Sequence, residues 1–141
     1  MPSYHAFRQG LPGAEYDLDT AVIKLGLVRS YAFDPDHVTV ADALAAGAVF
    51  NGSPVVVPNI TRMSDGAVDG DDVNIATTAS GIYHYPLLFQ ASAPTGGVDL
   101  PANQQRLIYY FATGPSVPIL PKDGVVEVVW PNTGTRIFRI S

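Results

Sequence analysis

Val125-Val126-Glu127-Val128-Val129-Trp130 runs into Pro131-Asn132-Thr133-Gly134 and out through Thr135-Arg136-Ile137-Phe138-Arg139-Ile140. Two runs rich in β-branched and aromatic residues flank a short turn, which is the pattern of a hairpin. Side chains alternate between faces along a strand, so Val126, Val128 and Trp130 share one face of the first run. Phe138 and Ile140 share one face of the second by the same rule. Trp130 and Phe138 are therefore expected in the core. No residue of this hairpin suggests chemistry, and the chain reads as one built to hold a shape.

Working back toward the start, the same β signature recurs. Ala21 to Val28 alternates, with Ile23, Leu25 and Leu27 on one face and Lys24 and Gly26 on the other. Val55-Val56-Val57 is a short buried strand between two prolines, and Val73 to Thr77 follows an acidic turn. Ile82 to Gln90 sets Tyr83, Tyr85, Leu87 and Phe89 on one face. Pro86 lacks an N–H, so this strand is expected at a sheet edge or with a bulge. Arg106 to Ala112 is apolar on both faces and reads as a central strand. Residues 91–103 and the proline-containing residues 113–122 are loops. One helix is expected: Thr39-Val40-Ala41-Asp42 has the form of a capping box, and Ala41 to Ala46 run to Gly47. About seven short strands punctuated by Gly and Pro indicate an all-β fold, an antiparallel β-sandwich with the jelly roll as one form of it.

The chain has 141 residues, the size of one domain. Residues 1–20 read as an extended N-terminal arm and residues 21–141 as the sandwich domain. The arm has no helix or strand period, yet it carries Tyr4, Phe7, Leu11 and Tyr16. These four are the expected interface residues, lying on a neighbouring molecule.

Charged residues make up 15% of the chain, below a typical ~25%, which suits a surface partly covered by a partner. The net charge is -5 and the eight Lys and Arg residues are scattered. Nucleic-acid binding relies on clustered basic residues and is not expected. There are no cysteines, which excludes disulfides, zinc–thiolate sites and Cys nucleophiles. No apolar run approaches the ~20 residues of a membrane span. The start, Met1-Pro2-Ser3-Tyr4-His5, has neither the charged nor the apolar region of a signal peptide, so synthesis and folding in a cytoplasm are expected.

Candidate chemistry is sparse. The acidic stretch Asp65-Gly66-Ala67-Val68-Asp69-Gly70-Asp71-Asp72 lacks the alternate ligand spacing and terminal Glu of a calcium loop, and reads as a turn. His5, His37 and His84 are far apart and show no metal-ligand spacing. His84 alternates with Tyr83 and Tyr85 and is expected at the surface. Phosphate loops and nucleophile elbows are absent. No catalytic residue, cofactor site or metal ligand is nominated. Tyr83, Tyr85, Phe89, Tyr109, Tyr110, Phe111 and Trp130 could form a sugar-stacking platform, although aromatics at strand spacing are more often core. A carbohydrate-binding module is thus one alternative.

Several pieces together resemble a family. They are Leu25-Gly26-Leu27-Val28 with Tyr31-Ala32-Phe33 and His37, then Val68-Asp69-Gly70-Asp71-Asp72-Val73. Arg106-Leu107-Ile108-Tyr109-Tyr110 follows, and the series ends with Pro121-Lys122-Asp123-Gly124, Trp130-Pro131-Asn132 and Ile137-Phe138. In this order the chain resembles small β-rich virion proteins of tailed bacteriophages. The resemblance leaves out the first twenty residues. It implies a non-enzymatic structural protein located on the virion, foremost a capsid decoration (cement) protein that binds and stabilises the outer shell. The major capsid protein is then the expected partner, and a phage tail or head–tail component is the competing role. Multivalent attachment and closed symmetry suggest self-association as a homotrimer.

Overall fold

The computed structural model describes residue 4 and residues 16–18, 20–62, 67–78, 81–111, 119–121, 124–128 and 138–139. Within them the chain is an all-β, antiparallel sandwich with one short helix. The elements are β1 (Ile23–Arg29), α1 (Val40–Ala45), β2 (Val49–Phe50), β3 (Val55–Val56), β4 (Thr61–Arg62), β5 (Ala67–Asp69), β6 (Val73–Ala76), β7 (Tyr85–Gln90), β8 (Arg106–Tyr110), β9 (Val125–Val128) and β10 (Phe138–Arg139). Among the described residues, no helix is long and apolar enough to cross a membrane.

β1 organises the largest sheet. It pairs with β7 from Ile23 opposite Gln90 to Val28 opposite Tyr85. Its other edge is shared by β2 and β3, and β7 pairs in turn with β8. Ile23, Leu25 and Leu27 are buried, as the alternation requires, and Val28 is buried with them. Each such side chain removed from water contributes roughly 1.5–3 kcal/mol. Gly26 faces the opposite way because Phe50 and Pro54 occupy the space a Cβ would need.

Two smaller sheets complete the fold, one ordered β10-β5-β4 and the other formed by β6 and β9. Here the closing hairpin departs from expectation. β9 pairs with β6, setting Val126 opposite Ile75 and Val128 opposite Val73, while β10 pairs with β5. The apolar face of Val126 and Val128 is real, but it is matched by the buried Ile75 and Val73. Trp130 and the turn at residues 131–134 lie outside the described residues, as does the side chain of Phe138. The described pairings do not establish the jelly-roll variant.

Two other strand readings also shift. β8 ends its sheet; it is not central. Its outer edge is covered by irregular chain: Leu107 N–H donates to Val38 O at 2.9 Å, and Tyr4 N–H to Ile108 O at 3.3 Å. That cover explains why Leu107, Ile108 and Tyr110 are all buried. β7 is an inner strand, and the register shift beside it places the extra residue on its partner: Leu88 and Phe89 of β7 oppose Tyr109 and Leu107, leaving Ile108 of β8 unmatched. Pro86 is tolerated there because it sits at the last rung. Phe111 N–H donates to Pro86 O at 3.0 Å, and only the reciprocal bond is missing.

The helix forms where its signals place it. Thr39 is the N-cap in extended backbone; its side chain accepts from Asp42 N–H, and Asp42 reaches back in a capping box. Gly47, at φ +98, ends it.

Candidate functional site

The four N-terminal residues expected at an interface divide into two groups. Tyr4 and Tyr16 belong to the chain's own core, with Tyr4 0% exposed; Phe7 and Leu11 lie outside the described residues. Tyr16 Oη donates to Leu107 O at 2.8 Å. Leu18 is buried beside them, and Asp17 N–H donates to Gln90 Oε1 at 3.0 Å. An aperiodic segment can bury large rings against the edge and face of a sheet, and both Tyr4 and Tyr16 bond to β8. For Tyr4 and Tyr16, the reading of an arm resting on a neighbour is therefore replaced by one of a strap closing the chain's own core.

Tyr4 completes an aromatic cluster. Its ring meets Phe33 edge-on, with centroids 5.2 Å apart, and Phe33 stacks on Tyr110 at 5.3 Å. Tyr31 meets Tyr110 edge-on at 5.1 Å and lies flat against His37, with rings 5.8 Å apart. The polar edges form a chain: Tyr4 Oη is 2.8 Å from Tyr31 Oη, and Tyr31 Oη is 2.8 Å from His37 Nδ1. Burial pushes the Tyr4 hydroxyl well above the usual phenol range, and its bond to Tyr31 pushes it further. Burial also raises Tyr31, with the bond from Tyr4 acting the other way.

The sugar platform is not assembled. Phe89 and Tyr110 are buried, and Tyr85, Tyr109 and Phe111 pack against the core. Among the described residues of that set only Tyr83 is well exposed, at 58%, and Trp130 lies outside them. Tyr83 and His84 exchange the roles expected of them. His84 is fully buried, with Nδ1 2.7 Å from Ile82 O and Nε2 making no hydrogen bond.

The acidic stretch is tied to the preceding loop at Asp71. Its carboxylate accepts from Asn59 Nδ2 at 2.6 Å and its N–H donates to Pro58 O at 2.9 Å. Among the described residues, no group of three His, Asp or Glu side chains is placed to hold a metal ion. An open groove of about 640 Å³ runs past Val38, Thr39, Gln90, Ser92, Leu100 and Arg106. Its buried polar groups are engaged within the chain: Gln90 with Asp17, and Ser92 with Val22 N–H and Ala93 O, both at 2.8 Å.

One exposed apolar feature was not anticipated. His84 and Ile119 exchange backbone bonds in an isolated antiparallel bridge, and Gly81 N–H donates to Pro121 O. Ile82, Tyr83 and Leu120 beside this bridge are exposed, and Val125 at the start of β9 is 61% exposed. The alternation of Tyr83 with the buried His84 is the local signal that could have found this surface.

Comparison with protein-family models, with curated proteins and with solved structures gives no match for the chain.

Proposed function

We propose that this chain is a non-enzymatic structural protein of a tailed-bacteriophage virion that binds and stabilises the outer surface of the capsid. The reading rests on the ordered sequence resemblance, and one structural observation supports it: the exposed apolar side chains Ile82, Tyr83 and Leu120 on the two segments bridged at His84 and Ile119. Large apolar side chains left in water forfeit roughly 1.5–3 kcal/mol each if a partner could bury them. A contact of this size is modest for one copy and adequate for many copies on one shell. The partners in this reading are the major capsid protein and further copies of the chain, assembled as a homotrimer.

The test is attachment to particles. Particles lacking the protein are mixed with purified wild type or with a Tyr83→Glu, Leu120→Glu double variant. They are then sedimented and imaged. Wild type should coat the shell and raise its resistance to heat, and the variant should stay in the supernatant. Wild type that leaves shells bare and unprotected would overturn the reading. Density confined to the tail or neck would transfer it to the competing tail or head–tail role.

A further inference from the structure

Asn51-Gly52 is the one Asn-Gly pair in the sequence, and it lies between β2 and β3, which both pair with β1. The pair forms a joint between the largest sheet and β6. On one side, Asn51 N–H donates to Leu27 O of β1 at 2.8 Å. On the other, Asn51 Oδ1 accepts from Thr78 N–H at 2.8 Å and from the Thr78 hydroxyl at 3.3 Å, just beyond β6. Asn51 is 4% exposed. Gly52 is at φ +72, and the Ala76 carbonyl of β6 fills the space a Cβ would need. The joint thus favours an uncharged acceptor at 51 and requires the absence of a side chain at 52. Those are also the two halves of the dipeptide most prone to lose its amide, because glycine leaves the following nitrogen unhindered.

We infer that Asn51-Gly52 is a spontaneous modification site, closed while Leu27 and Thr78 hold it and converted to aspartate or isoaspartate when the joint opens. In the reaction the Gly52 nitrogen attacks Asn51 Cγ, and its proton passes by way of water to the departing Nδ2. A C–N bond forms, the Cγ–Nδ2 bond breaks, and ammonia leaves a cyclic succinimide. Water then opens the ring at the side-chain carbonyl to give isoaspartate's isomer, aspartate, or at the main-chain carbonyl to give isoaspartate. Nothing is oxidised or reduced. Closing the ring requires the Asn51 side chain to swing onto the next peptide as that peptide turns. The tether from Thr78 and the contact of Gly52 with the Ala76 carbonyl oppose both movements, so reaction waits for local opening. Either product marks the opened copy permanently. Aspartate leaves a carboxylate where burial favours a neutral group. Isoaspartate adds an atom to the main chain between strands of fixed register, Phe50 opposite Val28 and Val55 opposite Leu25. The site is independent of the proposed function, because it concerns the chain's own joint.

The experiment follows full-length wild type in mildly alkaline buffer, folded and in guanidinium chloride above its unfolding midpoint. Peptide mass mapping separates Asn, Asp and isoaspartate at each position. In denaturant, Asn51 should lose its amide faster than Asn59, Asn74 and Asn103, which precede Ile60, Ile75 and Gln104. In the folded protein the rate at Asn51 should be lower by roughly tenfold or more, because only the minor open population reacts. Equal rates in the two states would overturn the gate, and a faster loss at another asparagine in denaturant would overturn the site. Gly52→Ala is compared with wild type in denaturant, where its clash with the Ala76 carbonyl has no effect. It should react more slowly at Asn51, and an unchanged rate would refute attack by the Gly52 nitrogen. Chains modified in denaturant are then returned to buffer and separated by size. Isoaspartate should be depleted from the folded fraction, and equal amounts in the folded and unfolded fractions would refute its effect on the joint.

Discussion

Replacing Tyr4 with Ala separates two accounts of the N-terminal segment. If the segment were an arm reaching for a neighbour, the isolated domain would not feel the change. The structure gives the opposite expectation. The ring is 0% exposed, meets Phe33 at 5.2 Å and bonds Tyr31 through its hydroxyl at 2.8 Å. Truncating a buried aromatic of this kind costs about 3–5 kcal/mol. For a chain of 141 residues, that lowers Tm by about 10–20 °C. The cost should sit at the upper end, because Tyr31 loses a hydrogen-bond partner as Phe33 loses a packing partner. Thermal and urea melts at a concentration where the protein is monomeric would measure it. A Tm within about 3 °C of wild type, below the effect of ~1 kcal/mol, would mean that Tyr4 is not a core residue. The argument for a self-closing strap would then fail.

Five further outcomes follow from the same geometry. Tyr16→Phe should cost about 0.5–1.5 kcal/mol through loss of the bond to Leu107 O, measured by urea melts. Gly52→Ala should cost more than Gly97→Ala in the same assay. Both positions have positive φ, but only at Gly52 does the new Cβ overlap a backbone carbonyl, that of Ala76; an equal loss at the two would refute the clash. Thr39→Ala should cost about 1 kcal/mol by removing the α1 cap. Its partner Asp42 is held below the usual carboxylate range by the Val38 and Thr39 amides. Its contribution is therefore present above the unfolded carboxylate pKa and fades as pH falls through the lower folded value, which an acid titration of wild type against Asp42→Asn would follow. At the alkaline end, burial pushes Tyr110 up to about 12 and Tyr4 higher still, so these tyrosines stabilise the fold below pH ~10. That contribution is lost as pH rises from there toward the folded values, and tyrosinate absorbance should appear together with unfolding, not before it.

The features legible in the sequence are those set by near neighbours. The alternation of Ile23, Leu25 and Leu27 places β1 correctly, and the Thr39–Asp42 capping box places α1 to within a residue. The inward face of Val126 and Val128 is also correct. Their partner is not, because a turn signal says that a chain can reverse there without saying which strand satisfies the apolar face. Val73 and Ile75, more than fifty residues away, match it. Pairings of that span are decided by the whole fold, and no local window contains them.

The same reasoning explains the N-terminal segment, and it bears on what the fold must protect. β8 has two apolar faces and would normally be read as an inner strand, yet it ends its sheet. An uncovered edge with buried Leu107 and Ile108 would invite pairing with another chain. Here the edge is filled from two directions, by Val38 beside α1 and by Tyr4 from the N-terminal segment. Neither piece has strand periodicity, and among the described residues each makes isolated rungs. Tyr4 instead gains its hold through side chains: the Phe33 and Tyr110 rings and the hydroxyl chain to His37, brought together from positions 4, 31, 33, 37 and 110. A segment held this way can be fully buried and still look aperiodic.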